Sequence, residues 1–178
     1  MHDARVADGA HTEERPGRRT RTGERLAGYV YGTILVLSVI VATARTTTHG
    51  TGHIAALVLV TSLVFWLAHV YAHALGDSVG RDQHLSLGEL AEIARHESSI
   101  ATAALPPVAA LLLAEVGILA DRTAVWLALA IGLAVLMVQG LRFARIERLG
   151  WLGTLVVVAV NLGLGIVLIG LKLLVTHH

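Results

Sequence analysis

Apolar residues fall into five long stretches that are separated by short polar segments. Each stretch holds about 20 residues, and a helix of that length spans about 30 Å, the thickness of the hydrocarbon layer of a bilayer. The pattern predicts an all-α fold: a polytopic integral membrane helical bundle with about five transmembrane helices in one domain, residues 26–178. The predicted spans cover residues 26–44, 54–75, 98–120, 123–141 and 151–175.

The segment before the first span, residues 1–25, is polar and has no apolar period. Such a composition buries too little apolar surface to offset the chain entropy lost on folding. Arginines crowd its membrane-proximal end, among them Arg18, Arg21 and Arg25. The sequence therefore predicts a disordered basic cytoplasmic tail.

The longest internal polar segment, residues 76–97, contains its own helix signal. Ser86 and Glu89 have the spacing of a capping box, in which two side chains satisfy the first backbone N–H groups of a helix. Apolar residues then recur on one face, which predicts a short amphipathic helix on the cytoplasmic surface before the third span. Inside that span, the proline pair 106–107 predicts a kink, because proline lacks the N–H that a helix needs.

The composition supports the membrane class and narrows the partners. The chain is 54% hydrophobic and 15% charged, whereas a soluble domain carries roughly 25% charged residues. The net charge of +1 gives no reason to expect nucleic acid, so the predicted partners are the lipid bilayer and further copies of the chain. There is no cysteine, which excludes disulfides and thiolate metal sites.

Basic residues predict the orientation in a cell membrane. Arginines are concentrated in the segments 1–25 and 142–149, whereas the other side carries only Arg45, Arg122 and Lys172. Positively charged segments stay in the cytoplasm. We therefore expect a multi-pass protein with a cytoplasmic N-terminus and an external C-terminus.

The second span carries a stripe of polar and aromatic residues on one helical face. The stripe consists of Ser62, Trp66, His69, His73 and Asp77, at spacings of three and four residues. His69 lies about six residues from the cytoplasmic end of the span, roughly 9 Å deep at 1.5 Å per residue. Ionisable groups in hydrocarbon are costly and mark functional sites.

Three roles fit the pair His69 and His73. Two histidines four residues apart can chelate a divalent metal ion, can relay protons because imidazole titrates near neutral pH, or can only hydrogen-bond to neighbouring helices. A metal ion needs further ligands, and Glu92, His96 and Glu97 near the start of the third span are the candidates. The predicted metal ligands are His69, His73, His96 and Glu97, with a divalent metal ion as the candidate cofactor.

Polar residues at several depths suggest a path across the bilayer. Glu115 lies near the outer end of the third span, and Asn161 lies near the middle of the fifth. The predicted proton or ion path consists of Ser62, Trp66, His69, His73, Glu115 and Asn161. The leading hypothesis is thus an ion, proton or metal-ion channel or transporter that works as a homo-oligomer.

Two other function classes stay open at this point. The first is a membrane-embedded metal-dependent enzyme with a histidine and glutamate site on the cytoplasmic side. The second is a non-catalytic scaffold or accessory subunit, in which the polar groups only hold helices together.

Overall fold

A computed structural model describes residues 18–44, 50–81 and 86–176 of the chain. The described residues form α-helices and turns without a strand, which confirms the predicted all-α class. The helices are α1 (Arg18–Thr43), α2 (Thr51–Arg81), α3 (Leu87–His96), α4 (Ser98–Thr102), α5 (Leu105–Glu115), α6 (Asp121–Ile146) and α7 (Trp151–Thr176).

Four helical stretches are long and apolar enough to cross a bilayer. They are Thr22–Thr43, Thr51–Ser78, Ser98–Glu115 and Asp121–Ile146, and Trp151–Val167 is a shorter apolar helix. The fold is therefore compatible with a multi-pass integral membrane protein. The predicted third span reaches residue 120, but the helix ends at Glu115 because Gly117 turns the chain with φ 77°; such a positive φ suits glycine.

The helices run back and forth between two ends of the bundle. At one end α1, α3 and α7 begin while α2 and α6 end, and most arginines lie there, so we call it the arginine-rich end. At the opposite end, the Thr51 hydroxyl lies 3.5 Å from an Asp121 carboxylate oxygen, which joins the starts of α2 and α6.

The first helix packs in the centre of the bundle. Val36, Leu37 and Ile40 of α1 are completely buried, together with Val58 of α2 and Leu136 of α6. Their spacing along α1 places them on one face that α2, α5 and α6 cover. This apolar layer separates the two ends of the bundle.

Close approach of α1 to α4 depends on two glycines four residues apart, Gly28 and Gly32. A Cβ atom at Gly32 would lie 2.6 Å from the carbonyl oxygen of Ile100, and one at Gly28 would overlap the Ser99 hydroxyl. Glycines at this spacing let helix backbones come together in membranes. The pair therefore places α1 directly against α4.

The third rod of the bundle is divided into α3, α4 and α5. Ser86 and Glu89 form the capping box that starts α3, which confirms the predicted helix. The predicted kink is confirmed as a break at residues 103–104, and the proline pair 106–107 occupies the first turn of α5. Proline is well tolerated in that turn because the first N–H groups have no partner within the helix.

The first helix begins earlier than the apolar pattern indicates. It starts at Arg18, so residues 18–25 of the predicted tail are helical, whereas residues 1–17 lie outside the described part. Arginine and glutamate are good helix formers, and a helix needs no apolar residues once it leaves the hydrocarbon. Helix α1 therefore extends into the segment that the sequence predicts as a disordered tail.

Candidate functional site

A polar cavity of about 670 Å³ lies at the arginine-rich end, between α1, α2, α3 and α4. We call it the vestibule. Seven ionisable side chains line it, four carboxylates and three imidazoles: Glu24, His69, His73, Asp77, Glu92, His96 and Glu97. The structure thus brings all four predicted metal ligands to one cavity, together with Glu24 of α1.

His69 lines the vestibule and is half-buried. Its ring packs against Tyr31 of α1, with the ring centroids 5.2 Å apart. Its Nδ1 lies 3.2 Å from the carbonyl oxygen of Phe65. Since a carbonyl only accepts, Nδ1 carries a hydrogen in this arrangement, and the Nε2 lone pair is left for a proton or a ligand.

His73 and Glu97 form a pair that joins α2 to the segment between α3 and α4. Nδ1 of His73 lies 3.4 Å from Oε1 of Glu97, and 3.3 Å from the carbonyl oxygen of His69. The histidine is 59% exposed, whereas Glu97 is only 14% exposed. The contact is an ion pair only when this imidazole is protonated.

A second pair joins α3 to α1. Nε2 of His96 lies 3.2 Å from Oε2 of Glu24, and Glu24 is half-exposed. No sequence pattern points to Glu24, because it stands in a polar segment without an apolar period. Only the earlier start of α1 brings it to the cavity.

Trp66 and Ser62 share the helical face of the histidines, but neither lines the vestibule. The Trp66 indole donates to the carbonyl oxygen of Ala94, at 3.0 Å, and thereby fixes the end of α3 on α2. Ser62 is buried, and its hydroxyl has no partner in the described part of the chain. It lines a separate cavity of about 310 Å³ with Leu59 and Thr102.

Glu115 and Asn161 lie far from the vestibule. The Glu115 carboxylate accepts the backbone N–H of Gly52 at 2.9 Å, so it caps the start of α2 at the opposite end. Asn161 of α7 donates to the carbonyl oxygen of Val157 at 2.9 Å and packs against Gly140 of α6. Both contacts are of a kind that stabilises helices and their packing.

The vestibule favours cations. Four of its lining side chains are carboxylates, and among the side chains that the structure describes the lining contains neither lysine nor arginine. A cavity lined by one sign of charge concentrates ions of the opposite sign. Its donors meet in pairs, and within the described residues no three histidine or carboxylate side chains are arranged to hold one metal ion.

The fold identifies the chain at the level of a helical bundle with apolar helices suited to a membrane. Comparison of the chain with family models, curated proteins and solved structures finds no match in any of the three.

Proposed function

We propose that this chain is a membrane protein that carries protons across the bilayer, with the vestibule as its acid–base entrance. The observation that carries the proposal is the set of seven ionisable side chains, all histidine or carboxylate, around one cavity. Imidazole groups exchange protons near physiological pH, and chains of histidine and carboxylate side chains form proton relays in membrane proteins. On the predicted orientation, the vestibule faces the cytoplasm.

The pairwise arrangement of the donors favours protons over a metal ion. A proton needs only one lone pair, and Nε2 of His69 offers one. A relay also needs a neighbouring group that can accept the proton, and Glu97 is such a neighbour for His73. Zinc needs three or four ligands at about 2 Å. That set would require several vestibule side chains to move together.

The path beyond the vestibule is proposed to lie between copies of the chain. Inside one chain the apolar core borders the vestibule, because Ile100 lines the cavity and is only 1% exposed. The outer face of α2 beside the vestibule is apolar and open, with Leu63 53% and Leu67 59% exposed. A homo-oligomer that packs through this face would place several vestibules around a shared path.

The experiment is proton flux into liposomes that contain the purified chain, driven by a potassium diffusion potential and followed with an internal pH dye. We expect the proton flux of the double variant His69→Gln/His73→Gln to be at least about tenfold lower than that of the unsubstituted chain. Removal of a general acid–base group typically lowers a rate by this factor or more. His53→Gln is the matched control, because it changes a histidine at the other end of the same helix and outside the vestibule. Its flux is expected to stay within about twofold of the unsubstituted chain.

Two outcomes would contradict the proposal. One is flux through the unsubstituted chain that equals that of protein-free liposomes. The other is full flux in the double variant. Thermal unfolding of each variant in detergent shows whether a lost flux comes from lost folding instead.

A divalent metal ion is the second candidate ligand, because the same cavity combines three imidazoles with four carboxylates. Zinc binds both donor types. Elemental analysis after dialysis against zinc tests it, with His73→Gln/Glu97→Gln as the variant. Retention of about one zinc ion per unsubstituted chain, together with its loss in the variant, would support a metal site. Absence of retained zinc in the unsubstituted chain would exclude it.

A further inference from the structure

A second groove lies on another face of α1, where α1, the break between α4 and α5, and α6 meet. Its volume is about 360 Å³. It shares no residue with the vestibule. Its polar lining comes from Tyr29, Thr102, Gln139 and Arg142, and the remainder of the lining is apolar.

The polarity of this groove changes stepwise along α6. Arg142 lies at the arginine-rich end, and Gln139 lies one turn further in, about 4.5 Å along the axis at 1.5 Å per residue. Beyond Gln139 the α6 lining is apolar as far as Ile131, roughly 16 Å from Arg142. The order is a cation, then a hydrogen-bonding group, then hydrocarbon.

One buried polar atom in the groove has no hydrogen-bond partner among the described residues. Gln139 is only 6% exposed, and its Oε1 has no hydrogen-bond partner in the described part of the chain. A buried polar atom of this kind costs free energy unless a ligand or water satisfies it. Across from it, the Tyr29 hydroxyl lies 3.2 Å from Thr102 Oγ1, and Pro106 has no N–H to give to the Thr102 carbonyl.

Arg142 supplies the charge at the mouth of the groove. Its side chain is exposed, and it forms no ion pair with the residues that the structure describes. A guanidinium group binds phosphate oxygens through two parallel hydrogen bonds. Basic pockets between helices at a membrane surface bind lipid head groups in this way.

We infer that this groove binds one anionic glycerophospholipid with a hydroxyl-bearing head group. The phosphate binds Arg142, a head-group hydroxyl donates to Oε1 of Gln139, and an acyl chain lies against Val135 and Ile131. The order of charge and apolar wall along α6 matches the order of phosphate and hydrocarbon in such a lipid. The head-group hydroxyl is attached on the other side of the phosphate, and it reaches Gln139, one turn from Arg142, when the head group folds back beside the phosphate. The inference is independent of the proton proposal.

The test is native mass spectrometry of the full chain in detergent, with phosphatidylglycerol or phosphatidylcholine added at equal concentration. Phosphatidylcholine has no head-group donor and no net charge. We expect one retained phosphatidylglycerol per chain, about tenfold less retention in Arg142→Gln, and recovery of at least half in Arg142→Lys. Gln139→Leu is expected to reduce retention about threefold, and phosphatidylcholine retention is expected to be low in every variant.

Arg145→Gln is the matched control. Arg145 is an exposed arginine about one helical turn further along α6, and it does not line the groove. Retention in this control is expected to stay within twofold. Equal losses in Arg142→Gln and Arg145→Gln would overturn the inference in favour of unspecific charge attraction. Equal retention of the two lipids, displacement by millimolar inorganic phosphate, or a change in oligomer mass without a change in lipid would overturn it as well.

Discussion

Replacement of Gly32 by alanine tests the close approach of α1 to α4. The new Cβ would lie 2.6 Å from the carbonyl oxygen of Ile100, 3.0 Å from its Cα, and 3.1 Å from Cβ of Ala103. The first two atoms belong to the backbone, so no side-chain rotation relieves the overlap. The two helices must separate for the methyl group to fit.

The magnitude follows from the size of that separation. An ordinary contact distance of 3.4 Å requires a shift of about 0.8 Å from the present 2.6 Å. A gap of 0.5–1 Å removes about a quarter to a half of the dispersion energy of each contact, and overpacking costs about 1–3 kcal/mol. Alanine regains up to about 1 kcal/mol of helix propensity, so the free energy of unfolding should fall by about 1 kcal/mol.

Gly76→Ala supplies the comparison, because a Cβ at this helical position meets nothing within 4 Å. It should gain up to about 1 kcal/mol from helix propensity alone. Unfolding by titration with sodium dodecyl sulfate, followed by far-ultraviolet circular dichroism, measures both variants. A Gly32→Ala chain as stable as the Gly76→Ala chain would refute the tight contact between α1 and α4.

Three further substitutions probe single contacts. Trp66→Phe removes the hydrogen bond to the Ala94 carbonyl and should lower the free energy of unfolding by about 1 kcal/mol, with faster amide exchange in α3. Glu115→Gln weakens the charged cap on Gly52 at the start of α2 and should cost about 0.5 kcal/mol in the same titration. Arg148→Gly relieves the backbone strain of a non-glycine residue at φ 51° and should raise the free energy of unfolding by about 1 kcal/mol.

Each of these substitutions has an outcome that would contradict its reasoning. Unchanged amide exchange in α3 after Trp66→Phe would mean that the indole does not fix this helix. Equal stability of Glu115→Gln and the unsubstituted chain would remove the capping role. A less stable Arg148→Gly chain would show that the arginine side chain contributes more than its backbone strain costs.

The sequence predicts the fold well where hydropathy decides it. Four of the five apolar stretches give helical stretches long enough to cross a bilayer, and the fifth gives the shorter apolar helix Trp151–Val167. The Ser86 capping box and the proline pair 106–107 are found where their chemistry places them. Boundaries outside the hydrocarbon are less predictable, because a helix such as residues 18–25 continues in polar sequence without any apolar period.

The candidate site is predictable only in part. The spacing of His69 and His73 places both on one face, but which neighbouring helix meets that face depends on packing. The spacing of Gly28 and Gly32 is a sequence signal for the close contact of α1 with another helix. In the fold α1 also places Tyr31 against His69. The cap that Glu115 forms on α2 joins residues 63 positions apart in the chain, and no local pattern reports such a pair.

The break in the third rod has a mechanical consequence. On one side of it, α5 is anchored at its far end by the contact of Glu115 with Gly52. On the other side, α3 and α4 carry Glu97 and His96, which form one wall of the vestibule. The two parts of the rod are therefore held by different partners, α4 by its contact with Gly28 and Gly32 of α1, and α5 by its cap on α2. A substitution that loosens the contact of α4 with α1 would thus disturb this wall of the vestibule and leave the cap on α2 in place.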